Sequence, residues 1–300
     1  MREAKRPGAK PVPEPIPSAT ILLVRETEGR VTGPPRDGAA AARGAAGASG
    51  ESEPRRGSSF EVFMVQRHHQ VDFASSALVF PGGKVDPADR DPALRARCAG
   101  TEGLDEEALA YRVAAVRETF EESGVLIARQ RGADALVSAE RAAEIAARWR
   151  AALNADEATL AEIAAAEDLV LALDALVLFA HWITPVFMPK RFDTHFYLVA
   201  APPEQAAAHD GGESVDSLWI TPARALEEAA AGRLSIIFPT RMQLAKLARA
   251  TSVADALARA RAARVVPVLP TVAQSEAGPV LRIPAEADYD LVEAPLDEVR

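Results

Sequence analysis

The segment that most constrains the fold of this chain is one amphipathic stretch, which predicts a helix over 106–123. Acidic residues fill its first turn after Asp105, and Gly124 provides a typical stop. Its apolar residues recur at steps of three or four and are Leu109, Val113, Val116 and Phe120. Because such a stripe has to be buried, the helix must pack against other elements of a layered core.

The same helix carries three acids on one face. Glu118, Glu121 and Glu122 fall within about a third of the helix circumference. Like charges at this spacing destabilise a helix slightly, so the cluster opposes stability unless cations lie among it. One interpretation is a solvated face on which Arg117 pairs with Glu121. The glycines at 82–83 allow close approach of another group and favour the alternative, a functional site.

Composition limits the class of protein. The 300 residues are 48% hydrophobic and 26% charged, which is typical of a globular chain long enough for one large domain or two small ones. The formal charge of −9 disfavours a nucleic-acid-coating role. Any anionic substrate therefore needs local cations or a metal. The sequence carries no signal for a particular oligomeric state.

Cysteine content and hydropathy favour a cytoplasmic protein without a membrane segment. Cys98 is the single cysteine, so neither an intrachain disulfide nor an all-thiolate zinc site can form. The most apolar run, 169–183, is shorter than the roughly 20 residues of a membrane helix and contains Asp174 and His181. Prolines follow the basic N-terminal residues where a signal peptide needs an apolar stretch, so we expect no export.

The N-terminal part contains two segments with little capacity to form a core. Residues 1–17 are Pro-rich and predict a disordered tail. A first strand is predicted at 19–24 and a second at 60–67, and we expect the two to pair. Between them, 26–59 is almost free of large apolar side chains and predicts a disordered loop insertion.

The remainder predicts alternating helices and strands. An Ala-rich helical insertion at 134–166 is expected to form two helices that separate near Asn154. A helical and extended C-terminal extension occupies 251–300. Further strands are predicted at 179–186, 193–200 and 215–220, helices at 222–231 and within 239–262, and extended segments at 265–269 and 280–283.

At this point a family resemblance is visible in the sequence. The residues that carry it are Gly83, Asp89, Arg117, Glu118, Glu121, Glu122, Gly124 and Val125. Together they resemble the sequence box that is typical of Nudix hydrolases. The chain departs from the usual box at Thr119, where an aliphatic residue is normal, and at Asp89, where Glu is normal. Residues 90–116 replace a spacer of about seven residues, and we place the insertion at 90–104.

A box interrupted at this point resembles the branch that contains coenzyme A diphosphatases. The stretches 77–91 and 181–198 and the region of Trp219 are similar to that branch too. The resemblance covers 18–250 and implies one catalytic domain. It implies an α/β Nudix fold, in which a mixed β-sheet is sandwiched between α-helices and extended by helical insertions.

The resemblance also implies a metal site. Glu118, Glu121 and Glu122 provide hard oxygen ligands suited to Mg²⁺ or Mn²⁺, and the Gly82 carbonyl completes the set by resemblance. Asp89 receives a supporting role. Either Glu121 or Glu122 is expected to act as the general base.

Several further roles remain open at this stage. Arg117 either orients a neighbouring carboxylate or forms an ordinary helix ion pair, and Glu213 is an alternative base from a loop outside the box. His181 and Trp182 are expected to lie in the core. The candidate substrate-binding residues are Arg67, Gly83, Lys84 and Arg191, with Lys190 beside Arg191.

The expected function is Mg²⁺- or Mn²⁺-dependent hydrolysis of a diphosphate linkage in a phosphorylated small molecule. By resemblance, the first candidate is coenzyme A or acyl-CoA, cleaved to 3′,5′-ADP and a phosphopantetheine. Alternatives are an ADP-ribose, NADH or dinucleotide pyrophosphatase and a non-catalytic nucleotide-sensing module. The three-glutamate cluster disfavours the sensing module, because a pure sensor need not keep like charges that destabilise its helix.

Overall fold

The computed structural model describes residues 12–27, 60–67, 77–205, 207, 214–276 and 278–296. It describes only the backbone at Arg67, Ser214 and Val215. The predicted tail lies outside the described residues up to position 11, and the predicted loop insertion lies outside them from 28 to 59. The first strand is longer than predicted, over Ile16–Glu26, so it includes the last two residues of the predicted tail and the first residue of the predicted loop.

The described ranges contain fourteen strands and seven α-helices. The strands are β1 (Ile16–Glu26), β2 (Phe60–Arg67), β3 (Leu78–Val79), β4 (Gly82–Lys84), β5 (Cys98–Ala99), β6 (Ala128–Gln130), β7 (Leu169–Ala172), β8 (Val177–Ile183), β9 (Phe192–Ala200), β10 (Ser214–Ile220), β11 (Pro267–Val268), β12 (Thr271–Ser275), β13 (Gly278–Arg282) and β14 (Glu293–Pro295). The helices are α1 (Pro92–Arg95), α2 (Glu106–Ser123), α3 (Ala139–Asn154), α4 (Leu160–Ala166), α5 (Pro222–Ala230), α6 (Phe238–Leu247) and α7 (Val253–Ala262).

The main sheet is mixed, as predicted. Its central order is β10-β2-β1-β9-β8-β11, with β3 added to β2 and β4 added to β1. Strands β1 and β9 run parallel, as do β8 and β11, whereas β1 pairs antiparallel with β2 and with β4. The remaining strands form two three-stranded sheets, β5-β7-β6 and β12-β13-β14.

Helices cover both faces of the main sheet, which confirms the predicted α/β class. Alternation along β1 shows the two faces, because successive side chains of a strand point to opposite sides. Ile21 and Leu23 pack into the core that contains Val116 and Phe120 of α2. Leu22 and Val24 belong to a second core, together with residues of α6 and α7.

Helix α2 has the predicted bounds. The Asp105 carboxylate accepts a hydrogen bond from the Ala108 amide at 2.7 Å and caps the first turn. Gly124 ends the helix with a φ of 73°, a left-handed conformation that favours glycine. Thr119 is fully buried, and its hydroxyl donates to the Ala115 carbonyl at 2.8 Å, so a polar residue is accommodated where an aliphatic one is usual.

The two predicted helices within 134–166 are confirmed as α3 and α4, which are held together by Glu167. The Glu167 carboxylate accepts hydrogen bonds from Trp149, Arg148 and Arg141 of α3. These bonds, that of Trp149 first, hold the pKa of Glu167 below its usual value. Since this carboxylate is almost fully buried, these hydrogen bonds take the place of water around its charge.

The other predicted elements lie within a few residues of their expected positions. The hairpin of β1 and β2 is confirmed, with Glu26 opposite Phe60 in the register. Strands β8, β9 and β10 and helices α5 to α7 occur where the sequence predicts them. Beyond α7 the chain adds β11 to the main sheet by pairing with β8. In the described part of the chain, no helix is long and apolar enough to cross a membrane.

Candidate active site

The glutamate face of α2 opens into a cavity of about 1100 Å³. The cavity lies beside the paired strands β1 and β4, and Ser18 and Thr20 of β1 contribute to its wall. Seven of the residues proposed from the sequence line it together, namely Gly82, Gly83, Lys84, Arg117, Glu118, Glu121 and Glu122. The structure thus brings the glycine turn and the carboxylates, which are separated along the chain, into one site.

Gly83 makes room for the Glu118 carboxylate. A Cβ atom placed on Gly83 would lie 2.4 Å from Glu118 Oε1 and 2.6 Å from Oε2, well inside van der Waals contact. The register explains the proximity, because Gly83 pairs with Ala19 at the centre of the sheet, over which α2 packs. A side chain at position 83 would therefore displace Glu118.

Glu122 is bonded to the same turn. It is buried, with 6% of its surface exposed, and its Oε2 accepts a hydrogen bond from the Gly82 amide at 2.9 Å. Gly82 has a φ of 155°, and a Cβ there would lie 2.4 Å from the Ala19 carbonyl oxygen. Glycine at this position is required by the backbone, whereas glycine at position 83 is required by the neighbouring carboxylate.

Arg117 connects the two halves of the site. Its Nε and Nη2 donate to the two oxygens of Asp89, each at 2.9 Å, and Nη2 also donates to the Lys84 carbonyl at 2.8 Å. Its Nη1 donates to Glu118 at 3.0 Å and to Glu121 at 2.9 Å. This bidentate and branched pairing fixes the guanidinium and, through it, two carboxylates.

Asp89 is buried despite its charge, with 2% of its surface exposed. It completes the capping box at the start of the 3₁₀ helix Pro87–Arg90, where its Oδ2 accepts a hydrogen bond from the Asp86 amide at 2.8 Å. Burial raises the pKa of Asp89 and outweighs the opposing effect of Arg117. Although a long segment separates the two halves of the box, the chain folds back so that the Asp89 carboxylate contacts Arg117 of α2.

Burial of several carboxylates close together is electrostatically unfavourable. Burial, followed by the nearby charge of Glu118, raises the pKa of Glu121 to about 8, although Arg117 acts in the opposite direction. Burial by itself lowers the pKa of Arg117, but Asp89, Glu118 and Glu121 together raise it above its usual value. Three carboxylates thus share one guanidinium.

This donor set fits a divalent cation. Mg²⁺ and Mn²⁺ prefer carboxylate and carbonyl oxygens, and three glutamates together with a glycine turn present such atoms at one end of the cavity. An added cation would also lower the pKa of Glu121, which burial and then the nearby charge of Glu118 raise. Glu118, Glu121 and Glu122 are the residues that would hold it.

The rest of the cavity wall comes from distant parts of the chain. Lys84 and Lys190 provide cations, and Lys190 Nζ lies 5.6 Å from the Phe192 ring centre. The wall is otherwise largely apolar and includes Phe80, Trp182, Phe187, Phe196, Phe238 and Leu281. Trp182, expected in the core, is 5% exposed and lines this wall. Sequence patterns did not find this wall, because it forms only when strands and helices far apart in the chain pack together.

The remaining candidates from the sequence occupy other surroundings. Arg191 is buried, and its guanidinium donates to the carbonyls of Thr184 at 2.9 Å and Pro13 at 2.8 Å. Arg67 ends β2, with its side chain outside the described set. Glu213 also lies outside the described residues.

Comparison with known proteins identifies the family. Residues 90–247 match the family model described as the NUDT19 Nudix domain. The chain belongs to the Nudix hydrolase family. The matched range begins after Asp89 and contains the whole glutamate helix.

Relatives extend this assignment. The acyl-coenzyme A diphosphatase NUDT19 of Xenopus laevis is 25% identical over 63% of this chain and 60% of its own length. The protein of the same name from Gallus gallus is 29% identical over 70% of this chain and 68% of its own length. The chain thus spans less than two thirds of the frog relative.

A solved structure supports the fold. The Nudix hydrolase from Alicyclobacillus acidocaldarius superposes with a TM-score of 0.55 at 24% identity, over 82% of this chain and 94% of that one. The Nudix fold inferred from the split box is therefore confirmed.

Proposed function

We propose that the protein hydrolyses a diphosphate linkage in a nucleoside diphosphate derivative, with Mg²⁺ or Mn²⁺ as cofactor. The observation that carries this proposal is the meeting of Glu118, Glu121 and Glu122 with the glycine turn at one end of a large cavity. Bound there, the ion would offset the charge of the diphosphate and increase the acidity of water.

The residues of the site have distinct roles in this proposal. Glu118 and Glu122, with Glu121 beside them, would hold the ion together with the Gly82 carbonyl. The Gly82 amide donates a hydrogen bond to the Glu122 carboxylate, and Gly83 leaves room for that of Glu118. Glu121 is the general base and accepts the proton of the attacking water on a carboxylate oxygen. Glu122 and Glu213 are the alternative general bases. Arg117 positions Glu118 and Glu121 and is itself positioned by Asp89.

Coenzyme A or acyl-CoA is the proposed substrate. Relatives named acyl-coenzyme A diphosphatase support it, as does the split box. The cavity supports it further, since cations at Lys84 and Lys190 and an apolar wall suit a molecule with charged phosphates and an apolar arm. The products would be 3′,5′-ADP and (acyl-)phosphopantetheine. Arg67 remains a proposed phosphate ligand. Lys190, which lines the cavity, takes this role in place of the neighbouring Arg191, whose guanidinium is already bonded to the Thr184 and Pro13 carbonyls.

Replacing one metal ligand tests the proposed reaction. Glu122→Gln keeps the shape of the side chain but removes its charge, so turnover of the substrate should fall at least roughly 100-fold with little change in melting temperature. Glu106→Gln, the same change on an exposed residue of α2, is the matched control and should leave turnover unchanged. Wild-type turnover by Glu122→Gln at saturating Mg²⁺ would contradict the proposed metal site.

A substrate comparison tests the proposed branch. If cations bind the 3′-phosphate, coenzyme A should be cleaved roughly 10- to 150-fold more efficiently than 3′-dephospho-coenzyme A, the equivalent of about 1.5–3 kcal/mol. Lys190→Ala and Arg67→Ala should each reduce that preference if the residue binds the phosphate. Cleavage of ADP-ribose, NADH or dinucleotides without cleavage of coenzyme A would keep the diphosphatase reaction and reject this substrate.

A further inference from the structure

A second cluster of metal-ligating side chains lies on the main sheet, apart from the glutamates of α2. His181 of β8 and His195 of β9 stand directly opposite each other in the antiparallel register. Asp193 precedes His195 by two residues, so all three side chains lie on the same face of the two strands. The sequence predicts a core position for His181, whose side chain is in fact 18% exposed, and it indicates no role for the other two residues.

The potential ligand atoms of the cluster are close together. One nitrogen of each histidine and one carboxylate oxygen of Asp193 lie within 4.8 Å of one another. His181 Nε2 lies 2.5 Å from Asp193 Oδ1, and the two imidazole ring centres are 4.4 Å apart. Ligands of a tetrahedral zinc ion lie about 3.4 Å apart, so rotations that move these atoms by roughly 1 Å create the site.

The surroundings of the cluster hold the rings in place. The Tyr111 ring of α2 stacks on His195 with ring centres 4.0 Å apart. The Tyr197 hydroxyl lies 3.4 Å from His195 Nδ1, the kind of neighbour that orients a metal-bound imidazole.

We propose that His181, Asp193 and His195 form a second metal site, which binds a borderline divalent transition-metal ion such as Zn²⁺. Two imidazoles and one carboxylate suit zinc and related ions, whereas Mg²⁺ and Ca²⁺ prefer oxygen ligands alone. The donor chemistry therefore separates this site from the glutamate cluster. Partial exposure of His181 and Asp193, at 18% and 26% of their side chains, provides access for the ion.

The location of the cluster indicates what the ion does. Its ligands come from two adjacent strands, so a bound ion ties β8 to β9. Ala19 of β1 pairs with His195 on one side and with Gly83 on the other, so the second site lies two strands from the glycine turn of the first. We therefore assign the ion a structural role that supports the sheet beneath the active site.

The test measures metal binding rather than activity. In a Glu118→Gln/Glu122→Gln background, which weakens the glutamate site, Co²⁺ should give a visible d–d absorption band and Zn²⁺ should compete for it with micromolar or tighter affinity. Adding His181→Ala or Asp193→Ala should abolish the band and one equivalent of bound Zn²⁺. His209→Ala removes a histidine that is not one of the three proposed ligands, so it serves as the control and should change neither quantity.

A second measurement covers variants that fail to fold. Crystals of the wild-type chain exposed to Zn²⁺ should show an anomalous-scattering peak about 2.0–2.2 Å from a nitrogen of His181 and of His195 and from an oxygen of Asp193. A zinc peak at Glu118 and Glu122 alone would overturn the second site and leave the proposed reaction intact. Zinc stoichiometry unchanged by His181→Ala would overturn it as well.

Discussion

Gly83→Ala separates the role of Gly83 in the site from any role in folding. The new Cβ would lie 2.4 Å from Glu118 Oε1, whereas ordinary contact begins near 3.4 Å, so the carboxylate must move by about 1 Å. A misplacement of about 1 Å in an active site costs on the order of 100-fold in rate, equivalent to about 2.7 kcal/mol. Because the obstacle is the end of a flexible side chain, the melting temperature should change little.

Gly82→Ala is the matched comparison. There the Cβ would meet the Ala19 carbonyl oxygen at 2.4 Å, and the φ of 155° disfavours alanine. This variant should lose stability by about 1–3 kcal/mol or more, because the backbone of β1 cannot move aside as a side chain can.

The assay combines kcat/KM at saturating Mg²⁺, the Kd for Mn²⁺ from electron paramagnetic resonance, and thermal melting. Gly83→Ala should lower kcat/KM roughly 100-fold and weaken Mn²⁺ binding at nearly wild-type stability. Wild-type kcat/KM and Mn²⁺ affinity in this variant would refute the close approach of Gly83 to Glu118. A stability loss as large as that of Gly82→Ala would refute the separation of roles.

Three other perturbations test the framework around the site. Asp89→Asn removes the buried partner of Arg117 and should lower the free energy of unfolding in urea by about 1.5–3 kcal/mol; an unchanged urea midpoint would contradict the pairing. Glu167→Gln should destabilise the protein most near neutral pH. Since the folded pKa of Glu167 is lowered, this stabilisation is lost as pH falls through that pKa, and a pH-independent difference would refute it. Replacing 28–57 by a short Gly-Ser linker should preserve folding and activity, because β1 and β2 already pair where that segment begins and ends; loss of cooperative unfolding would show otherwise.

Local patterns predicted the glutamate helix closely. Its apolar period, the cap at Asp105 and the stop at Gly124 are all determined by neighbours in the sequence, and the helix has the predicted bounds. The glutamate face followed from the same helical geometry. The pairing of Asp89 with Arg117 could not be predicted in this way, because it spans 28 residues and depends on how the inserted segment folds back.

The cavity wall and the histidine cluster lay beyond sequence reasoning for a related reason. Trp182 and Leu281 meet in the wall through the packing of the C-terminal strands, which no periodicity reports. Asp193 and His181 become neighbours through the register of β8 and β9, and a shift of one residue would place one of them on the opposite face. Such contacts require the tertiary structure.

The central claim, metal-dependent hydrolysis of a diphosphate at the glutamate cluster, is tested most directly by product analysis. The purified chain is incubated with coenzyme A, an acyl-CoA, ADP-ribose, NADH and diadenosine polyphosphates, each with Mg²⁺ or Mn²⁺ and with a chelator, and the products are separated and identified. We predict 3′,5′-ADP and (acyl-)phosphopantetheine from coenzyme A and acyl-CoA in the presence of the ion, and no products with the chelator. Binding of these nucleotides without cleavage of any of them would contradict the claim and indicate a nucleotide-sensing module instead.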